Sequence, residues 1–160
     1  MNRAVHASED GVKLIASNRR AFHEYFIGER MEAGLVLTGT EVKSLRANGC
    51  SMADGYVRMK GREAWLVNIH IPPYGQGTFF SQHEPRRDRK LLLHARELRR
   101  MIGTLQEKGQ TLVPLRLYFK RGVVKAELGF GQGKKHHDKR ETIKKKEAER
   151  EVARYARRGS

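Results

Sequence analysis

The chain has 160 residues and a formal net charge of +15. That length suits one domain with a core of its own, held without disulfide or metal, and the single Cys50 excludes an internal bridge and agrees with a reducing compartment. The apolar runs are too short for a signal peptide or a membrane span, so a cytoplasmic protein is expected, and the charge points to a polyanion: nucleic acid first, an anionic membrane surface second.

Residues 1–13 are polar and unpatterned and read as a flexible N-terminus. Leu14-Ile15-Ala16 opens the first strand, and Ser17-Asn18 is a turn or cap beside Arg19-Arg20. A long strand runs from His23 to Leu37, with a bend or bulge in Gly28–Gly34. Glu32 is a stray acid in this basic stretch, either an ordinary solvated residue or a carboxylate that accepts from base N–H or ribose hydroxyl groups. Thr38–Gly49 reads as a short helix capped by Thr38 or Thr40 and stopped at Asn48-Gly49. It turns Val42 and Leu45 to the core and projects Lys43 and Arg46 together as candidate RNA-binding cations.

Tyr56–Val67 is a hairpin about Lys60-Gly61-Arg62, with its second run continuing to Ile71 before Pro72-Pro73. Trp65 is expected in the core, with base stacking as the alternative. Tyr74–Asp88 reads as a loop ending in the cluster Arg86-Arg87-Asp88-Arg89-Lys90. Leu91-Leu92-Leu93 follows, and helical spacing joins Leu98, Met101, Ile102 and Leu105 up to Gly109. Any of these leucines left unburied is a candidate for apolar contact with RNA. Thr111–Lys120 and Val123–Leu128 form a second hairpin across Arg121-Gly122, with Leu115, Leu117 and Phe119 on one face. Hairpins interrupted by a helix predict a mainly β body over 14–130: an OB-like closed antiparallel barrel with flanking α-helices, a fold that commonly binds oligonucleotides.

Gly129, Gly131 and Gly133 stand at every second position and read as a flexible joint. Beyond them a basic C-terminal tail, 131–160, has few apolar residues: Ile143, Val152 and Tyr155. From Lys134 onward eleven Lys/Arg face five Asp/Glu. Such a segment is expected to be disordered when free and helical once an anionic groove neutralises it.

No enzyme signature is present. His23-Glu24 lacks the second histidine of a zincin helix, since Ile27 stands there, and Gly133-Lys134 is no P-loop, since Leu128 occupies the first glycine position. Cys50 has no activating base nearby in sequence, and His136-His137-Asp138 is too compressed for a specific metal site. A binding protein without catalytic residues, metal or cofactor is expected.

Ile15-Ala16-Ser17-Asn18-Arg19-Arg20, His23-Glu24-Tyr25-Phe26-Ile27, Glu32-Ala33-Gly34-Leu35, Glu41-Val42-Lys43-Ser44-Leu45-Arg46, Arg89-Lys90-Leu91-Leu92-Leu93 and Gly133-Lys134-Lys135-His136-His137-Asp138-Lys139-Arg140 occur in order. Together they resemble the small protein B family, the bacterial SsrA-binding proteins, over about Leu14 to Lys146. The resemblance implies binding to the tRNA-like domain of transfer-messenger RNA, delivery to stalled ribosomes and support of trans-translation, by which incomplete peptides are tagged for proteolysis. It implies a monomer whose body replaces the missing anticodon half of a tRNA. The tail would become helical on the ribosome, at the decoding centre and in the vacant messenger channel of the small subunit.

By the same resemblance, RNA contacts fall on Asn18, Glu32, Leu92 and Lys125. Ribosome contacts fall on Gly133, Lys134, Lys135, His136, His137, Asp138, Lys139 and Arg140, with Ile143 and Lys144 continuing the motif. Lys125, Arg19 and Arg20 suit phosphates, Asn18 and Glu32 suit ribose or base edges, and the imidazole of His137 suits stacking on an unpaired base. Gly131-Gln132 departs from the Ala-Lys often found before Gly-Lys-Lys in the family, and residues 154–160 match no family feature.

Overall fold

The structure is a computed structural model that describes residues 11–75, 82–134, 146–154 and 156. Seven strands form one antiparallel sheet: β1 (Val12–Ser17), β2 (Tyr25–Leu35), β3 (Tyr56–Lys60), β4 (Glu63–Val67), β5 (Arg89–Leu92), β6 (Gln110–Lys120) and β7 (Val123–Gly133). Three helices interrupt them: α1 (Arg19–Glu24), α2 (Gly39–Asn48) and α3 (Ala95–Leu105). Residues 146–154 are also helical and exposed.

The strand order is β1-β6-β7-β2-β5-β4-β3. The sheet coils until β3 lies against β6, but among the described residues no ladder joins β3 to β1. The expected closed barrel is therefore corrected to a coiled open sheet. Its edge strands are short, which limits the row of unpaired backbone groups each presents.

Alternation along the strands places the core inside the coil. Ala33, Val57, Ala64, Leu66, Leu91, Leu117, Val124, Ala126 and Leu128 are buried there, joined by Leu45 of α2 and Met101 of α3. Ile69 and Ile71 also plug the core, yet β4 stops at Val67 because Asn68 adopts a φ of 66°. The strand expected to reach Ile71 thus ends four residues early. β5 appears at the end of the charged cluster and the start of the leucine run, which the sequence pattern assigned to no element; the strand has only four residues, too few for alternation to declare itself.

Two register shifts redirect side chains. One lies between Ile27 and Arg30 of β2, within the expected bend. The other lies between Pro114 and Arg116 of β6. It leaves Leu115 facing Ala21, Val113 and Ile27, away from Leu117 and Phe119, so the expected shared face of Leu115 with those two is corrected.

The glycine-rich stretch is a strand and not a free joint. Gly129 pairs with Arg30 and Val113, and Gly131 with Ile27 and Thr111. A Cβ at Gly129 would meet Leu115 at 2.8 Å and Ile27 at 2.9 Å, and one at Gly131 would meet Tyr25 at 3.0 Å. These glycines serve close approach between packed layers, which sequence alone does not separate from flexibility.

Candidate nucleic-acid interface

Three of the predicted RNA-contact residues converge on the outer face of the sheet. Gly34 of β2 pairs with Leu92 of β5 on one side and Lys125 of β7 on the other. Its missing side chain forms the floor between them: a Cβ there would lie 3.3 Å from Leu92 Cβ and 3.8 Å from Lys125 Nζ. A cleft of about 630 Å³ opens over this row, lined also by Glu32, Val123 and His94. Leu92 is 52% exposed, the unburied leucine anticipated above, because Leu91 takes the core side of the four-residue strand. Among the described residues Lys125 forms no salt bridge, so its ammonium is available to a phosphate.

Glu32 is held rather than free. The Tyr118 hydroxyl donates to Oε2, and Lys120 Nζ donates to the two carboxylate oxygens at 3.4 and 3.3 Å. The Tyr118 bond, then Lys120 and the nearby charge of Lys125, outweigh desolvation and keep this carboxyl below its ordinary range. Burial, followed by the bond to Glu32, pushes the Tyr118 hydroxyl well up, so it remains a donor. An ionised carboxylate fixed at both oxygens offers its remaining lone pairs to a ligand donor, such as a base N–H or ribose hydroxyl.

The other candidates lie elsewhere. Asn18 is 4% exposed and acts as a structural tether: Oδ1 accepts from Ala21 N at 3.2 Å, and Nδ2 donates to Pro114 O at 2.9 Å. It caps α1 and so sets Arg19 and Arg20 on the surface. Arg20 is engaged by Glu24 at 2.8 Å and Asp54 at 3.1 Å, while Arg19 forms no ion pair among the described residues. Lys43 lies 6.0 Å from the Tyr74 ring centroid and Arg46 lies 5.1 Å from that of Phe119, so both stand on α2 outside the cleft.

Gly133 ends β7, and Lys134 Nζ donates to Phe22 O at 3.1 Å while lying 5.2 Å from the Phe26 ring centroid. The remaining tail candidates, Lys135, His136, His137, Asp138, Lys139, Arg140, Ile143 and Lys144, lie outside the described residues. Sequence reasoning missed Tyr118 and Lys120 as the holders of Glu32; the signal was cross-strand alternation on a hairpin it had identified. It also grouped Arg89 with the charged cluster Arg86-Arg87-Asp88-Arg89-Lys90 at the end of a loop, whereas the side chain is fully buried against Glu41.

A family model described as SmpB protein matches residues 15–158 of this chain. The chain belongs to the SmpB protein family. Among curated members it is 54% identical over 148 residues to the SsrA-binding protein of Acidothermus cellulolyticus, covering 92% of each chain. It is 55% identical over 145 residues to that of Desulforudis audaxviator, covering 91% of this chain and 94% of the other. A family member in a solved structure described as "tmRNA-SmpB: a journey to the center of the bacterial ribosome" superposes with a TM-score of 0.62 at 49% identity, over 74% of this chain and 82% of that one. Among the described residues no helix is long and apolar enough to cross a membrane, and no cluster of metal-ligating side chains occurs.

Proposed function

We propose that this protein binds the tRNA-like domain of transfer-messenger RNA, brings it to stalled ribosomes and supports trans-translation. The observation that carries this reading is the convergence of Glu32, Leu92 and Lys125 around Gly34 in a chain of the SmpB family. In the cleft, Lys125 neutralises a phosphate, Leu92 packs on ribose or base, and Glu32 accepts from a base or ribose donor. The coiled sheet, with β3 laid against β6, supports an OB-like reading of the body. The protein acts by binding rather than catalysis, as a cytoplasmic partner of the ribosome, with its tail at the decoding centre and in the empty messenger channel.

The test is a filter-binding competition between the tRNA-like domain and an unstructured oligonucleotide of equal length. Wild-type protein should favour the folded RNA, and Lys125→Ala and Leu92→Ala should each weaken that binding by about tenfold with little change in Tm. Equal affinity for both RNAs would replace this reading with a general single-strand binder.

A further inference from the structure

A second groove adjoins the cleft. It has a volume of about 410 Å³, is lined by Arg30, Glu32, Arg116, Tyr118 and Glu127, and meets the cleft at Glu32. Glu127 of β7 pairs with Glu32 on one side and with Arg116 on the other. Its Oε1 accepts from Arg30 Nη1 at 3.1 Å, and its Oε2 accepts from Arg116 Nε at 3.0 Å and from Nη2 of the same guanidinium. Each guanidinium is braced a second time by a ring: Arg30 lies 5.3 Å from the Phe22 centroid and Arg116 lies 5.6 Å from that of Tyr118.

Exposure decides what the arrangement presents. The Glu127 side chain is only 12% exposed, whereas Arg30 and Arg116 keep 52% and 46%. One sunken carboxylate therefore holds two cations above it, and the cations cover it. A guanidinium has five N–H donors, of which the carboxylate takes one from Arg30 and two from Arg116. The remaining donors are fixed in place, so a ligand that uses them freezes little additional side-chain motion.

Resting on the RNA-binding reading above, we propose that Arg30 and Arg116 form a phosphate-binding fork for the RNA backbone as it leaves the Glu32–Leu92–Lys125 cleft. The carboxylates Glu32 and Glu127 also line this groove and equal Arg30 and Arg116 in number, but Glu127 lies beneath its partners and Glu32 is itself paired with Lys120 beyond the lining, so the guanidiniums are what the groove presents. A planar, two-pronged donor matches two oxygens of one phosphate, which a lysine cannot do. The fork extends the contact surface from β2 to β6 across β7, on the same outer face as Lys125.

The experiment measures affinity of the full chain for a transcribed tRNA-like domain across a salt series. Arg30→Gln and Arg116→Gln should each lower affinity by about tenfold and reduce the slope of log K against log salt by about 1. Arg30→Lys and Arg116→Lys keep an ion pair to Glu127 and should keep the slope while losing several-fold in affinity. Arg62→Gln, which removes the same charge at the β3–β4 turn, should leave affinity near wild type. Gln variants that are folded and bind with wild-type affinity and slope would overturn the fork and leave the arginines as braces between strands. If the wild type shows no preference for the tRNA-like domain, the parent reading falls, and the fork is judged by the same slopes measured on the unstructured oligonucleotide.

Discussion

Glu41 and Arg89 meet where α2 leans on β5, both of them buried. Arg89 Nε donates to Glu41 Oε2 at 2.5 Å, its Nη1 to Ile69 O at 2.7 Å and its Nη2 to Pro85 O at 3.0 Å. Glu41 closes a capping box as well: its Oε1 accepts from Thr38 N at 2.9 Å, while Thr38 Oγ1 caps Glu41 N. Burial alone would raise the Glu41 carboxyl, but Arg87, the Thr38 amide and Arg89 together hold it below the usual range. A carboxyl lowered in the folded state contributes stability above its unfolded value of about 4.3, and that contribution is lost as pH falls through the folded value. Glu41→Gln should therefore destabilise the protein by about 3–5 kcal/mol at neutral pH, since it leaves Arg89 charged and buried without a counter-ion. The deficit against wild type should shrink on acidification, and urea melts at neutral and acidic pH check both statements. A deficit that stayed constant with pH would mean that the pair adds only packing.

At the scale of elements, the two hairpins and α2 were legible because their signals are local. Gly61-Arg62 and Arg121-Gly122 punctuate alternating runs, and Thr38 with Glu41 marks a helix start. Arg121 at φ 53° and Gly122 at φ 80° complete the second turn. β5 and the β6 register shift were not legible, because four paired residues and one extra residue leave no periodic trace. The cleft was legible only through family resemblance, since Glu32, Leu92 and Lys125 come from three separated strands. Alternation on the β6–β7 hairpin put Tyr118 on the outer face, but its meeting with Glu32, like the Arg30–Arg116 pair, needed the β2–β7 register that no local pattern supplies. The glycines of β7 carry a prediction of this scale: Gly129→Ala forces a Cβ to within 3 Å of both Leu115 and Ile27. It should cost about 1–3 kcal/mol, read as a lower midpoint in thermal melts. A flexible joint would instead gain slightly from alanine.

For the whole molecule, positive charge is divided between the body and the sequence from Lys134 onward, where eleven Lys/Arg face five Asp/Glu. The cleft and the fork sit on one outer face, while Gly133 and Lys134 stand at the far end of β7, beside α1. Truncation after Gly133 should leave affinity for the tRNA-like domain within about threefold of wild type, because the truncation removes no cleft residue. It should abolish peptide tagging in a reconstituted translation system. Loss of RNA binding by the still-folded truncation would show that body and tail do not act separately.

One continuous strand links these two regions. From Lys125 to Gly133, β7 spans about 26 Å at the usual rise per residue, paired at every residue with β2, β6 or both. The strand is thus a ruler: the distance from Lys125 in the cleft to Gly133 is fixed by residue count, not by a hinge. Lengthening it by two residues would keep every side chain on its own face and shift the tail's starting point outward by about 7 Å.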